Sequence, residues 1–212
     1  MYKGKFITFE GGEGTGKSTQ VALLGDALRN IDIPVVTTRE PGGAPGAEEI
    51  RNLLVKGEVN RWTPMSEALL NYAARAEHLD KTVYPALDQD QWVISDRFAD
   101  STMAYQGFGH GVDHAALNAL GSAVLGEFKP DLTIIFDLDL HIGLGRAQAR
   151  GEGEDRYERM GQNFHERLRQ GFLDIAAAEP ERCSVIDASG AIDQVSATIR
   201  KVVSERLQVS FP

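Results

Sequence analysis

The residues best suited to chemistry lie near the start of the chain. Gly11-Gly12-Glu13-Gly14-Thr15-Gly16-Lys17-Ser18 fits the pattern G-x-x-x-x-G-K-[ST], and Thr19 continues into what reads as a helix. The glycines permit backbone angles that turn successive N–H groups inward around an anion, and the helix N-terminus adds positive partial charge. Lys17 would then reach the β- and γ-phosphates of a bound ATP. Ser18 would offer its hydroxyl to a Mg2+ ion that neutralises charge between those phosphates. Glu13 is an unexpected acid beside a triphosphate, and its place suggests service to a phosphate acceptor or to the metal.

A second group follows the apolar run that begins at Trp92, where the sequence reads Ser95-Asp96-Arg97-Phe98. Asp96 can hold a metal-bound water, and Arg97 can fork onto a phosphate with two parallel hydrogen bonds. Arg51 and Arg75 are further guanidinium groups that a dianionic acceptor would need. No Asn-Lys-x-Asp tetrapeptide occurs in the chain, which argues against a guanine-reading GTPase.

These groups must be carried by elements that converge. Five short apolar runs read as buried strands: Lys5 to Phe9, Val35 to Thr38, Trp92 to Ser95, Leu132 to Phe136 and Ser184 to Ile186. Helical patterns separate most of them, at about Lys17 to Arg29, Pro64 to Leu87, Asp113 to Leu125, Ile142 to Arg150, Arg159 to Ala178 and Ile192 to Leu207. The Pro64 helix opens on Thr63 as N-cap with proline in its first turn. Alternating strands and helices predict a parallel sheet with helices on both faces and ligands at the carboxyl ends of the strands.

The bulk properties agree with a small-molecule enzyme. The chain has 212 residues, no internal repeat or low-complexity linker, and a formal net charge of −9. One domain is expected over residues 1–212, and the negative charge speaks against a nucleic-acid or membrane-surface partner. A lone cysteine, Cys183, and the lack of a leader-like or membrane-spanning run predict a cytoplasmic protein.

The motifs taken together resemble those of the bacterial thymidylate kinases, in the P-loop nucleoside monophosphate kinase family, over nearly the whole chain. The resemblance rests on Phe9-Glu10-Gly11 with the cradle, Thr38-Arg39-Glu40-Pro41-Gly42-Gly43, Glu48-Glu49-Ile50-Arg51, Tyr72-Ala73-Ala74-Arg75, Asp96-Arg97-Phe98, Ala104-Tyr105-Gln106-Gly107 and Asp155-Arg156-Tyr157-Glu158. It implies an α/β, three-layer P-loop NTPase fold, with a five-stranded parallel sheet and a small lid at about residues 146–158. The implied reaction is γ-phosphoryl transfer from Mg-ATP to thymidine 5′-monophosphate, and the implied assembly is a homodimer joined through helices.

The resemblance also implies roles. Arg75 faces the thymine, Arg51 and Arg97 hold the acceptor phosphate, and Ser101 supports it. Glu13 approaches the acceptor's sugar hydroxyl and the metal shell, while Glu40 lies in the acceptor pocket. Thr102 and Gln106 hydrogen-bond near the base, and Tyr105 sits under the sugar, where its bulk excludes a ribose 2′-hydroxyl. With no arginine inside the cradle, Arg150 and Arg156 of the lid become the transition-state cations, and Arg146 borders the adenine with the loop near Asp187 to Ile192. Where family members often carry a thymine-stacking Phe, four residues before the pocket arginine, this chain has Asn71. Either the neighbouring Tyr72 takes over, or stacking is weaker. Another nucleotide or deoxynucleoside kinase, or an ATP-binding regulatory module without turnover, remain alternatives at this level.

Overall fold

The computed structural model describes residues 3–149 and 155–212. Five strands, β1 (Phe6–Gly11), β2 (Val35–Arg39), β3 (Trp92–Asp96), β4 (Leu132–Asp137) and β5 (Cys183–Asp187), form one sheet in the order β2-β3-β1-β4-β5. All four pairings are parallel, so every strand delivers its carboxyl end to the same edge.

Period-two alternation divides the core between the faces. Ile7 and Phe9 of β1 point to one side, where Leu24 and Leu28 of α1 (Lys17–Arg29) and Ile199 and Val203 of α9 (Ile192–Leu207) cover them. Phe6 points to the other side and packs edge-on against Phe98, with ring centroids 4.9 Å apart. That second face also receives α8 (Gln162–Ala178) and, following α3 (Pro64–His78), the residues Leu79, Val83 and Leu87.

α1 and α9 span the predicted residues, and Thr63 caps α3 by accepting from the Ser66 N–H. The predicted helix from Pro64 to Leu87 is interrupted. α3 ends at His78, a π-helical turn covers Leu79–Val83, and α4 resumes at Tyr84–Asp88. Pro85 has no N–H to donate and its ring crowds the carbonyl four residues back, so the chain widens by a residue instead of keeping α-register. Sequence reading placed Arg51 in a helix without setting its bounds; that helix is α2 (Pro45–Val55). After β3, a single turn, α5 (Ala99–Thr102), runs into a π-helical stretch over Met103–Gly109. The remaining elements are α6 (His114–Leu125) and α7 (Leu140–Gln148).

Candidate active site

The carboxyl ends of β1 and β3 bring the two sequence-predicted groups together. β1 ends at Gly11 and α1 starts at Lys17, with Gly16 in the left-handed region at φ 91°. Gly14 has φ 67°, and a Cβ there would lie 1.9 Å from the Gly143 carbonyl of α7, so no side chain fits. Lys17 Nζ donates to the Gly11 carbonyl (3.1 Å), the Gly12 carbonyl (2.7 Å) and Thr15 Oγ1 (3.2 Å). Burial and the nearby Arg97 charge push the lysine down to about 8.

Ser18 Oγ donates to Asp96 Oδ2 across 2.5 Å, which joins the start of α1 to the end of β3. One hydroxyl and one carboxylate suit Mg2+, which keeps several waters and takes only one or two protein oxygens beside substrate phosphates. No group of three or more His, Cys, Asp or Glu that could hold a metal ion occurs among the described residues.

Arg97, immediately after β3, has φ 74°, an unusual conformation for a residue with a side chain. Its N–H donates to the Phe9 carbonyl at 2.9 Å, and its own carbonyl accepts from Ser95 Oγ at 2.8 Å. The guanidinium then reaches back to the cradle: Nη1 donates to the Gly11 carbonyl (2.9 Å) and Ser101 Oγ (3.3 Å), and Nη2 to Glu13 Oε1 (2.9 Å). Tyr105 donates its hydroxyl to the same Glu13 oxygen at 2.6 Å. Burial pushes the Glu13 carboxyl up, but the Arg97 and Lys17 charges outweigh it and bring the group down to about 2. Glu13 is therefore an anion at any physiological pH.

Glu10, wholly buried in β1, anchors the α5 side. It accepts from the Phe98 N–H at 2.7 Å and from Ser101 Oγ at 2.5 Å. Burial and the neighbouring Asp100 push it up to about 7. Asp100 in turn takes a two-point contact from Arg182, at 2.7 and 2.8 Å. These contacts fix the turn from which Ser101, Thr102, Tyr105 and Gln106 project.

Arg75 of α3 is buried and held on three sides. Nε donates to Glu40 Oε2 (2.7 Å), and Nη2 to the Phe98 carbonyl (2.8 Å) and Thr102 Oγ1 (3.1 Å). Nη1 is buried and has no hydrogen-bond partner within the protein. Glu40 is shared with His78, whose Nδ1 lies 2.8 Å from Oε1, while the His78 Nε2 lies 2.8 Å from Thr38 Oγ1. Sequence reading gave no role to His78, Glu10 or Glu67. An acid inside the apolar run of β1 was a signal for Glu10, but nothing in the spacing of α3 singles out the other two.

Two cavities open on these groups. The larger, about 720 Å3, follows the cradle from Glu13 to Ser18 and includes Asp96 and Arg97. The smaller, about 110 Å3, is lined by Asn71, Arg75, Ser101, Thr102, Tyr105 and Gln106 among others. Both are bordered by Glu13, Glu40, Arg51 and Arg97. Arg51 also donates to the Pro41 carbonyl at 2.8 Å.

Two expected participants, Tyr72 and Arg156, stand elsewhere. Tyr72 does not line the small cavity: it is buried toward α6, with its hydroxyl 3.4 Å from the Leu117 carbonyl and its ring under the Arg75 guanidinium. Arg156 is wholly buried and donates to the carbonyls of Leu54 (3.2 Å), Glu58 (2.9 Å) and Val59 (2.7 Å) and to Glu67, so its donors are turned from the large cavity. Arg146 is exposed in the last turn of α7, and Thr19 is exposed in the first turn of α1. Gln20 of α1 donates to the Ile192 carbonyl at 2.9 Å, tying the cradle helix to the start of α9. Arg150 lies outside the described residues, as do Gly151 and Gly153. Arg159, which sequence reading did not select, borders the large cavity.

Comparison with known proteins points to one family. A family model described as thymidylate kinase matches residues 9–199. The thymidylate kinase of Caulobacter vibrioides is 53% identical over 207 residues, covering 98% of this chain and 99% of the relative. That of Magnetococcus marinus is 48% identical over 209 residues, covering 99% and 100%. The solved structure of thymidylate kinase from Ehrlichia chaffeensis superposes with a TM-score of 0.75 at 39% identity, covering 94% of this chain and 98% of that one.

Proposed function

The chain belongs to the thymidylate kinase family and phosphorylates thymidine 5′-monophosphate, and we propose the following assignment of its residues to that reaction. The carrying observation is that the large and small cavities share Glu13, Glu40, Arg51 and Arg97. Two mutually repelling phosphates can meet only where cations and oriented donors offset the repulsion.

The large cavity takes ATP. The backbone amides of Gly11 to Gly16 and the α1 N-terminus receive the phosphates, with Lys17 turning from the loop carbonyls to the β- and γ-oxygens. Ser18 and Asp96 would hold Mg2+, which neutralises charge building between those oxygens. Adenine rests beside Arg146 and the loop after β5.

The small cavity takes the acceptor. Arg97 and Arg51 hold its phosphate and Ser101 supports it. Tyr105 sits under the deoxyribose. Arg75 Nη1, buried without a protein partner, donates to a thymine carbonyl. Gln106, whose Nε2 donates to Glu67 at 3.1 Å, leaves its amide oxygen to accept the base N–H. Transfer is in line and needs no covalent enzyme intermediate; the residues work by positioning and charge neutralisation. Arg150 of the 146–158 lid meets the developing phosphoryl charge, whereas Arg156, near the end of the same lid, ties it to the 54–59 stretch and Glu67.

We also assign the protein to the cytoplasm as a homodimer of single-domain chains spanning residues 1–212. No helix among the described residues is long and apolar enough to cross a membrane. In α6, none of the residues is charged and only Leu117 is fully buried, while Leu69 of the adjoining α3 is 50% exposed. An apolar helix left uncovered by its own chain favours pairing with a second copy. Light scattering at the mass of a dimer is the expected result.

The acceptor assignment is tested by coupled ADP release across the common nucleoside monophosphates. Thymidine 5′-monophosphate should give a kcat/KM orders of magnitude above the purine monophosphates. Equal rates for all would reject the pocket reading.

A further inference from the structure

The acceptor cavity needs an aromatic face for a flat pyrimidine, and neither of the residues weighed for that duty in α3 supplies one. Asn71 lines the cavity but has no ring, and Tyr72 is turned to α6. Three aromatic residues border the small cavity: Phe98, Tyr105 and Tyr157. Phe98 is fully buried between Phe6 and Phe128 with Arg75 over its ring, so its faces are taken. Tyr105 is committed at the phosphate end, where its hydroxyl binds Glu13 and its ring lies under Arg97, 5.0 Å from the guanidinium carbon.

Tyr157 also has a cation over one face of its ring, the Arg156 guanidinium at 5.3 Å, but it sits at the other end of the cavity. It is half-buried, and its ring meets Tyr105 edge-on at 5.3 Å. Its hydroxyl donates to Glu67 Oε2 at 3.3 Å, the same oxygen that accepts from Gln106 at 3.1 Å. A side-chain hydrogen bond joins it to Asn71, and Asn71 Nδ2 donates to the Glu67 carbonyl at 2.9 Å. The neighbouring Arg156 also ends on Glu67. The ring is therefore held at the Asn71–Gln106 end of the cavity, the end assigned to the base.

Resting on the acceptor reading above, we propose that Tyr157 is the base-facing aromatic residue of the thymidylate pocket, and that buried Glu67 is the positioning residue that holds it together with Gln106. The carboxyl-terminal end of the lid, in place of α3, then supplies the stacking surface, and Asn71 orients that surface by hydrogen bonding.

The test measures binding of two probes, thymidine 5′-monophosphate and 2-deoxyribose 5-phosphate, which lacks the base, to wild type, Tyr157→Leu and Tyr157→Phe. Tyr157→Leu should weaken the nucleotide by about 5- to 100-fold, the range that loss of one base–aromatic stack gives. The sugar phosphate and ATP should bind as to wild type. Tyr157→Phe, which keeps the ring and loses the 3.3 Å hydrogen bond to the Glu67 carboxylate, should weaken the nucleotide clearly less than Tyr157→Leu. Unchanged nucleotide binding in Tyr157→Leu, or equal weakening of both acceptor probes, would overturn the proposal. Failure of wild type to phosphorylate thymidine 5′-monophosphate would instead overturn the reading beneath it.

Discussion

Arg97 Nη2 and Glu13 Oε1 lie 2.9 Å apart at the junction of the two cavities, joining the residue after β3 to the middle of the phosphate cradle. The pair is charged on both sides, since Glu13 is brought down to about 2. Glu13 receives Tyr105 as well, so one carboxylate orients both Arg97 and Tyr105. A cation held by an acid inside the site does not need to reorganise when phosphoryl charge develops.

Glu13→Gln should therefore lower kcat while leaving the KM for ATP near wild type. The expected loss is about 10- to 100-fold, the scale of one charge-assisted hydrogen bond. Steady-state kinetics with both substrates varied would check it, and an unchanged kcat would show that Arg97 is oriented by other contacts.

The free protein should lose ATP capture at alkaline pH. Burial and Arg97 bring Lys17 down to about 8, so the ammonium is present below that pH and is lost as pH rises through it. Because kcat/KM reports the free enzyme, it should fall for ATP by about tenfold per pH unit above this value. Bound triphosphate favours the charged lysine, which moves the limb in kcat to higher pH. A kcat/KM that stays flat up to the ordinary lysine range would contradict the assignment.

Ser18 and Asp96 are expected to set the metal requirement. Asp96→Asn should raise the Mg2+ concentration for half-maximal velocity by about 10- to 100-fold, the usual scale for loss of a metal-supporting carboxylate. Titration of activity with Mg2+ at fixed ATP measures it directly.

Glu40 serves stability as well as the pocket. Its removal would leave Arg75, 2% exposed, and His78, wholly buried, without their shared carboxylate. Breaking a buried pair from one side costs about 3–5 kcal/mol. Glu40→Ala should then lower the thermal midpoint by about 10 °C in a chain of this size. Calorimetry checks this, and a midpoint within a degree of wild type would show that the pair is dispensable.

The layout of the sheet and the cradle was legible because both depend on local signals: apolar runs set the strands, and a glycine pattern between a strand and a helix sets the loop. Arg97 and Asp96 were legible for the same reason, since they end a strand beside that loop. The directions of Arg156, Tyr72 and Tyr157 were not. Arg156 is drawn inward by three carbonyls from the 54–59 stretch, a long-range match that spacing does not encode. Tyr72 sits one residue from Asn71 on α3, which is enough to turn it about 100° away on a helix of 3.6 residues per turn. Pro85 could have warned of the break in the long helix, since proline in a helix interior removes a bond and crowds the preceding turn.

The most direct test of phosphate meeting at Arg97 is single-turnover transfer from ATP to thymidine 5′-monophosphate by Arg97→Ala at saturating concentrations of both. The rate should fall by about 10³-fold or more, as for other arginines that meet transferring phosphoryl groups, with ATP affinity preserved. A variant that keeps more than about a tenth of the wild-type rate would place the junction of the two phosphates somewhere other than at Arg97.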